Sequence, residues 1–402
     1  MAGLCATVLV GFGALAIDVG SWQVAQRSMQ GAADAAAYSA GIAYNKNDGT
    51  KIVTQAEAIT AAHGYVGGAS ALNSPGVQNA ATLVTVTVNQ PPKSGPNTGK
   101  GSAMEVIVQQ PQRRFFAGLF LPSNPTVTAR AVATMSSPPC LLALDPTANQ
   151  AITVSGSANV NSPGCDIASN SSSASAFNMN GSGTVTTPCV VAVGNVQVTS
   201  GLALTQCANP TTGAAAAPDP YASVPPPTPS GSCLNPVVSG SSSTFSPGHY
   251  CGTTSISLSG SAAATFQPGV YYLDGSFKIS GSATASGTGV TFFIKAPGSV
   301  SLTGNQAVSF TAPTSGTYSG IVFFGDRNGV ASSNNTFAGG SSETITGVIY
   351  FPTQGVTYAG GSASSSNCTQ IVADTVKVTG TSYFSSDCIG DGMVTNTVKL
   401  VE

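Results

Sequence analysis

Charged residues are scarce in this chain of 402 residues: 13 Lys and Arg with 15 Asp and Glu make 7% of it, where about 25% is ordinary for a soluble domain. A net charge of −2 provides no basic face or stripe, so no nucleic-acid partner is expected. Despite 47 Gly and 25 Pro, 42% of the residues are apolar, and short β-branched and aromatic runs recur; the chain is expected to fold and not to remain disordered.

The first predicted element is a helix. Ala2 to Ile17 carries no charge over sixteen residues, a rise of about 24 Å and a little short of the roughly 20 residues that span hydrocarbon. A cleaved signal peptide needs a basic flank and a small-residue cleavage site. No basic residue precedes this run, and the sequence stays helical through Trp22 and the alanine tract to Tyr44. A transmembrane helix with a helical stem is therefore expected over 1–68. A start upstream of Met1 would supply both the missing flank and a longer span.

Within this segment, Gly13 to Gly41 resembles the N-terminus of TadG-like proteins of the Tad/Flp (tight adherence) pilus system. The resemblance rests on Asp18, Gly20, Arg27, Gln30, Ala33, Asp34 and Ala35. It implies a single-pass anchor in a bacterial inner membrane, with the bulk of the chain periplasmic or surface-exposed and other pilus-assembly proteins as partners. Many such proteins also carry a von Willebrand-type domain with an Asp-x-Ser-x-Ser metal site. This sequence lacks that pentapeptide; the nearest stretch, Leu144-Asp145-Pro-Thr-Ala, has no serines, so no metal site carries over.

A small α+β membrane-proximal domain is expected over 69–138. Ala81–Val88 alternates like a half-buried strand and Ala103–Val108 reads as its partner across a breaker-rich loop. Arg113–Phe120 reads as a short helix with Arg113 and Arg114 at its solvated start, and Thr126–Met135 as a further strand.

From 139 to 402 the sequence repeats. Phe245-Ser-Pro-Gly-His-Tyr250 returns as Phe266-Gln-Pro-Gly-Val-Tyr271, and Ser259–Ala262 as Ser280–Ala283, both displaced by 21. Short strands and Gly turns at this period predict a right-handed parallel β-helix, with Ile256, Leu258, Phe277, Ile279, Val300 and Leu302 inward. A β-sandwich is the competing fold. The Pro-rich stretch 211–232 between Cys207 and Cys233 reads as an insertion in the solenoid. The whole is mainly β. Cys5 lies in the apolar helix; Cys140, Cys165, Cys189, Cys207, Cys233, Cys251, Cys368 and Cys388 form an even set without metal-ligand spacing. Four disulfides in an oxidising compartment are expected, with consecutive pairing the simplest arrangement and reduced buried thiols the alternative.

No catalytic, cofactor-binding or metal-binding residue is expected. Asp274, Asp326, Arg327, Glu343, Asp374, Asp387 and Asp391 are scattered and form no motif, and the only histidines are His63 and His249. Asp387–Gly392 lacks the ligand order of a calcium loop. The expected function is structural: an exported, membrane-anchored accessory protein of pilus assembly or surface attachment. The alternatives are an adhesin that contacts a glycan or solid surface, and a carbohydrate-active β-helix enzyme. Flat Thr/Ser/Asn ladders would favour adhesion, and carboxylates gathered in one groove would favour catalysis.

Overall fold

The computed structural model describes residues 2–45, 51–101, 103–119, 121–136, 139–235, 237–239, 243–305, 307–329, 334–338, 342–359, 368–386 and 397–402. They divide into two units: 1–136 together with 396–402, and 137–395.

In the first unit, α1 (Ala2–Asn45) and α2 (Ile52–Ala62) accompany β1 (Thr85–Asn89), β2 (Ala103–Pro111) and β3 (Thr126–Ser136). The alanine tract expected as a helical stem lies in α1 and is a packing face. Met29, Ala33, Ala36, Ala37 and Ala40 recur at three- and four-residue intervals and are fully buried. They share a core with Val84, Val86, Val88, Met104, Val106 and Ala131. Small side chains favour both the helix and its close approach to a sheet. The antiparallel order is β1-β2-β3 followed by the C-terminal strand Thr397–Leu400, whose Leu400 lies opposite Ala133 of β3. Residues 396–402, expected in the solenoid, thus belong to this unit, and the solenoid is an insertion between β3 and the last strand. Within the stretch expected as a short helix, Ala117–Leu119 forms a single 3-10 turn.

Among the described residues, no helix is long and apolar enough to cross a membrane. The expected transmembrane span is therefore not supported.

The second unit is a parallel β-solenoid with three faces. The first runs from Gly248–Tyr250 to Val190–Ala192, and the second is a ten-stranded sheet from Val237–Ser239 to Val196–Val198. Strands such as Thr284–Thr288 and Thr184–Thr187 build the third. The 21-residue displacement becomes register: Ile256 pairs with Phe277 and Ala264 with Ala285. On the first face Tyr250 pairs with Leu273, a slip of two residues that keeps the same side chains inward. All six residues expected to point inward are buried.

The rungs do not stack in chain order. Winding begins two rungs in from one end at Ile152–Val154, proceeds through Phe177–Met179 and stops at that end with Val196–Val198. The chain resumes at the opposite end with Val237–Ser239 and winds back, until Val376 pairs with Ile152 and Ile371 with Leu141. Residues 211–232 make the return. Eight strand-to-strand steps separate Val190–Ala192 from Gly248–Tyr250 on the first face, about 38 Å at the usual strand spacing. A Pro-rich segment of this length reaches about 68 Å when extended, so the path is easily covered.

The insertion is therefore a strap laid over the outer side of the first face. Tyr221 Oη bonds to Gln370 Oε1, and Tyr350 Oη donates to Asp219 Oδ2 at 2.7 Å. Arg327 donates to Val224 O at 2.8 Å and Tyr221 O at 2.6 Å, and stacks over Phe324 and Tyr350. Coverage on both sides explains why Val290–Ile294, Ile321–Gly325 and Thr369–Ala373 are buried at every position.

At one corner Gly156, Gly181 and Gly380 all have positive φ and stack. A Cβ on Gly156 would lie 3.0 Å from Gly380 O.

Candidate functional site

Asp18 is fully buried in the first unit. Its carboxylate accepts backbone N–H bonds from Phe115 at 2.9 Å and Phe116 at 2.8 Å, and a third from Ala117. Burial disfavours the charge, but the three donors outweigh it and hold the pKa below the usual carboxylate range. Trp22 Nε1 donates to Arg113 O at 3.1 Å, reinforcing the same junction. Arg114 donates to Asn124 Oδ1 and Leu121 O, so it braces the loop and is not merely solvated.

Gln30 Nε2 lies 2.8 Å from both Asp34 Oδ1 and Arg130 O, tying α1 to β3. Ala33 is buried, Asp34 and Ala35 are half-buried, and Gly20 and Arg27 are exposed. The motif residues thus face the sheet, the Asp18 junction and solvent in turn. Around Asp18, Leu15, Ile17, Val19 and Val24 of α1 are exposed together with Phe115 and Phe116. A second charged centre holds the sheet. Buried Glu105 accepts from Arg130 Nε at 2.6 Å, Asn89 Nδ2 at 2.7 Å, Ser94 Oγ at 2.9 Å and Lys93 N at 3.1 Å.

On the second face of the solenoid, the middle residue of each rung points outward. Strand register aligns Ser257, Lys278, Ser301, Thr336, Thr357, Lys377, Thr153, Asn178 and Gln197 in one row. Hydroxyls and amides therefore repeat about every 4.8 Å. Where the last rungs meet the first, a groove of about 450 Å³ opens, lined by Asn149, Gln150, Thr153, Asn334, Thr357, Thr375 and Lys377. Gln150 has φ 56°, an uncommon backbone for glutamine.

The acidic residues are less scattered than their sequence positions suggest. Register puts Asp274, Lys295, Asp326 and Asp374 along the corner that ends the first face. Their oxygens serve turns and ion pairs: Asp326 accepts from Asn328 N at 2.9 Å and Ala296 N at 3.3 Å. Burial, then the neighbouring Asp145, raises the Asp374 pKa. Arg327 holds the strap and Glu343 is buried. Asp387 and Asp391 lie outside the described residues.

The structure pairs Cys140 with Cys165, Cys189 with Cys207, and Cys233 with Cys251, with Cα separations of 5.5, 5.3 and 5.8 Å. Cys368 is also disulfide-bonded, and Cys388 lies outside the described residues. One group of metal-capable donors is present among the described residues: Cys233, His249, Cys251 and Asp274. Their sequence spacing carries no such signal, because the fold gathers them from three segments.

Residues 1–43 match the family model described as putative Flp pilus-assembly TadE/G-like. No curated protein and no solved structure matches the chain. The N-terminal segment is thus TadE/G-like, and the C-terminal region is a parallel β-solenoid.

Proposed function

We propose that the chain is an exported, membrane-associated accessory protein of a Tad/Flp-type pilus system. The TadE/G-like match over residues 1–43 carries this reading. Exposed Leu15, Ile17, Val19 and Val24 form an apolar margin on α1 suited to the bilayer, with the preceding apolar residues as the anchoring portion. Asp18, clamped by three N–H groups, fixes α1 to the 115–117 turn at that margin. The solenoid then acts as a non-enzymatic contact surface for pilus components.

A second reading, adhesion to a glycan or solid surface, is favoured by the outward Thr/Ser/Asn row and the polar groove beside Lys377. Gene deletion, followed by microscopy of pili and an attachment assay, tests the first reading. Loss of pili supports it. Normal pili with weak attachment transfer support to adhesion, while intact pili and attachment overturn both.

A further inference from the structure

We propose that reduction of the Cys233–Cys251 disulfide creates a four-ligand site for a thiophilic divalent cation, zinc above all, at the terminal rung of the solenoid. The ligand atoms are the two Sγ atoms, one ring nitrogen of His249 and one carboxylate oxygen of Asp274, all within 4.8 Å of one another. Tetrahedral zinc with two sulfurs, one nitrogen and one oxygen has donors roughly 3.3–3.8 Å apart. Shifts of about 1 Å therefore convert the cluster into a coordination shell.

The orientation of His249 is the telling feature. Its Nε2 lies 2.8 Å from Asp274 Oδ2 and 3.8 Å from Cys251 Sγ, so one nitrogen faces both a carboxylate and a sulfur. A cation taking the place of the proton between them bonds all three. The surroundings suit that role. Lys295 Nζ sits 3.3 Å from Asp274 Oδ1, leaving Oδ2 for the cation, and Tyr272 packs edge-on against the imidazole at 5.1 Å. Thiolates with imidazole select zinc over magnesium or calcium. The histidine is also particular to this coil: the 21-residue repeat places Val270 at its position, and strand register places Tyr272 opposite.

Access distinguishes this disulfide from the buried Cys140–Cys165 bridge, whose two residues are each 1% exposed, because Cys233 is exposed. A dithiol reductant attacks its sulfur, supplies two electrons and two protons, and leaves as its own cyclic disulfide. The two thiols formed release two protons when the cation binds.

The test uses the full chain, reduced anaerobically with dithiothreitol, freed of reductant and titrated with Co²⁺. The expected result is one equivalent bound with thiolate-to-cobalt charge transfer and tetrahedral visible bands, bleached by Zn²⁺ and absent from the oxidised chain. Cys233→Ser with Cys251→Ser should abolish the bands. His249→Ala and Asp274→Asn, checked for folding in the oxidised state, each remove a ligand and should weaken Co²⁺ binding by more than the roughly 10–100-fold that loss of an outer partner costs. Unchanged bands in the double Ser variant, or reduced wild-type protein with both thiols titratable and no bands, would overturn the proposal.

Discussion

In the first unit, alanine and valine fill the interior, and buried charges fasten the parts: Asp18 to the 115–117 turn and Glu105 to Arg130. In the solenoid, the interior is a column of rings. Phe292 lies 5.2 Å from Phe266, 5.0 Å from Phe310 and 5.4 Å from Phe323. One interior is held by a few irreplaceable polar junctions, and the other by contacts repeated from rung to rung. The sparse charge of the chain is thus put to structural use where small side chains leave little area to bury.

The sharpest test of this contrast is Phe292→Ala, which opens a cavity in the column. A loss of about 3–5 kcal/mol is expected by denaturant unfolding of the solenoid. A loss below about 1 kcal/mol would show that neighbouring rings close the gap and that the column is not the main support.

Glu105→Gln tests the other side, with an expected loss of about 2–3 kcal/mol confined to the first unit, followed by hydrogen exchange of β2 and β3. Burial raises the Glu105 pKa, but bonds from Arg130, Lys93, Asn89 and Ser94 outweigh it and lower the value overall. Its contribution is therefore complete above the unfolded pKa and is lost as pH falls through the lower folded value.

Asp166, in the solenoid, has the opposite sign. Burial raises its pKa to about 6 against one bond from the Cys189 backbone. The folded chain holds the extra proton below that value, so stability at this position increases as pH falls from about 7 to 4. Asp166→Asn should stabilise the solenoid by about 2 kcal/mol at pH 7 and flatten that dependence. Unchanged pH dependence would remove Asp166 from the account.

The smallest effect is expected at the strap. Tyr221→Phe removes the bond to Gln370 and should cost about 1 kcal/mol, while accelerating protease cleavage within 211–232. Unaltered cleavage would show that Arg327 and the apolar contacts suffice.

Much of the solenoid is legible locally. The Phe-x-Pro-Gly-x-Tyr repeat carries the period, and alternation in Ser-Ile-Ser-Leu marks the inward Ile256 and Leu258. The continuous runs Val290–Ile294 and Ile321–Phe324 even carried a sign of two-sided burial. Rung order had no such sign. Ile152–Val154 would accept almost any short apolar strand beside it, and the fit of Val376 there emerges only from the whole rod. Asp18 stands out as a motif residue, but its partners lie 97 to 99 positions away. The Cys233–His249–Cys251–Asp274 group leaves no mark in the sequence, because its members share neither a helix turn nor a single strand.

A solenoid wound from one tip to the other would deliver its incoming and outgoing chain at opposite ends of a rod. Here Leu141 neighbours Ile371 and Asn159 neighbours Tyr383, so the chain enters and leaves on adjacent rungs, about 5 Å apart. Both tips are free of that doorway. Duplication of a coil at either tip would lengthen the rod while leaving its connection to the host fold unaltered, so reach can evolve independently of attachment.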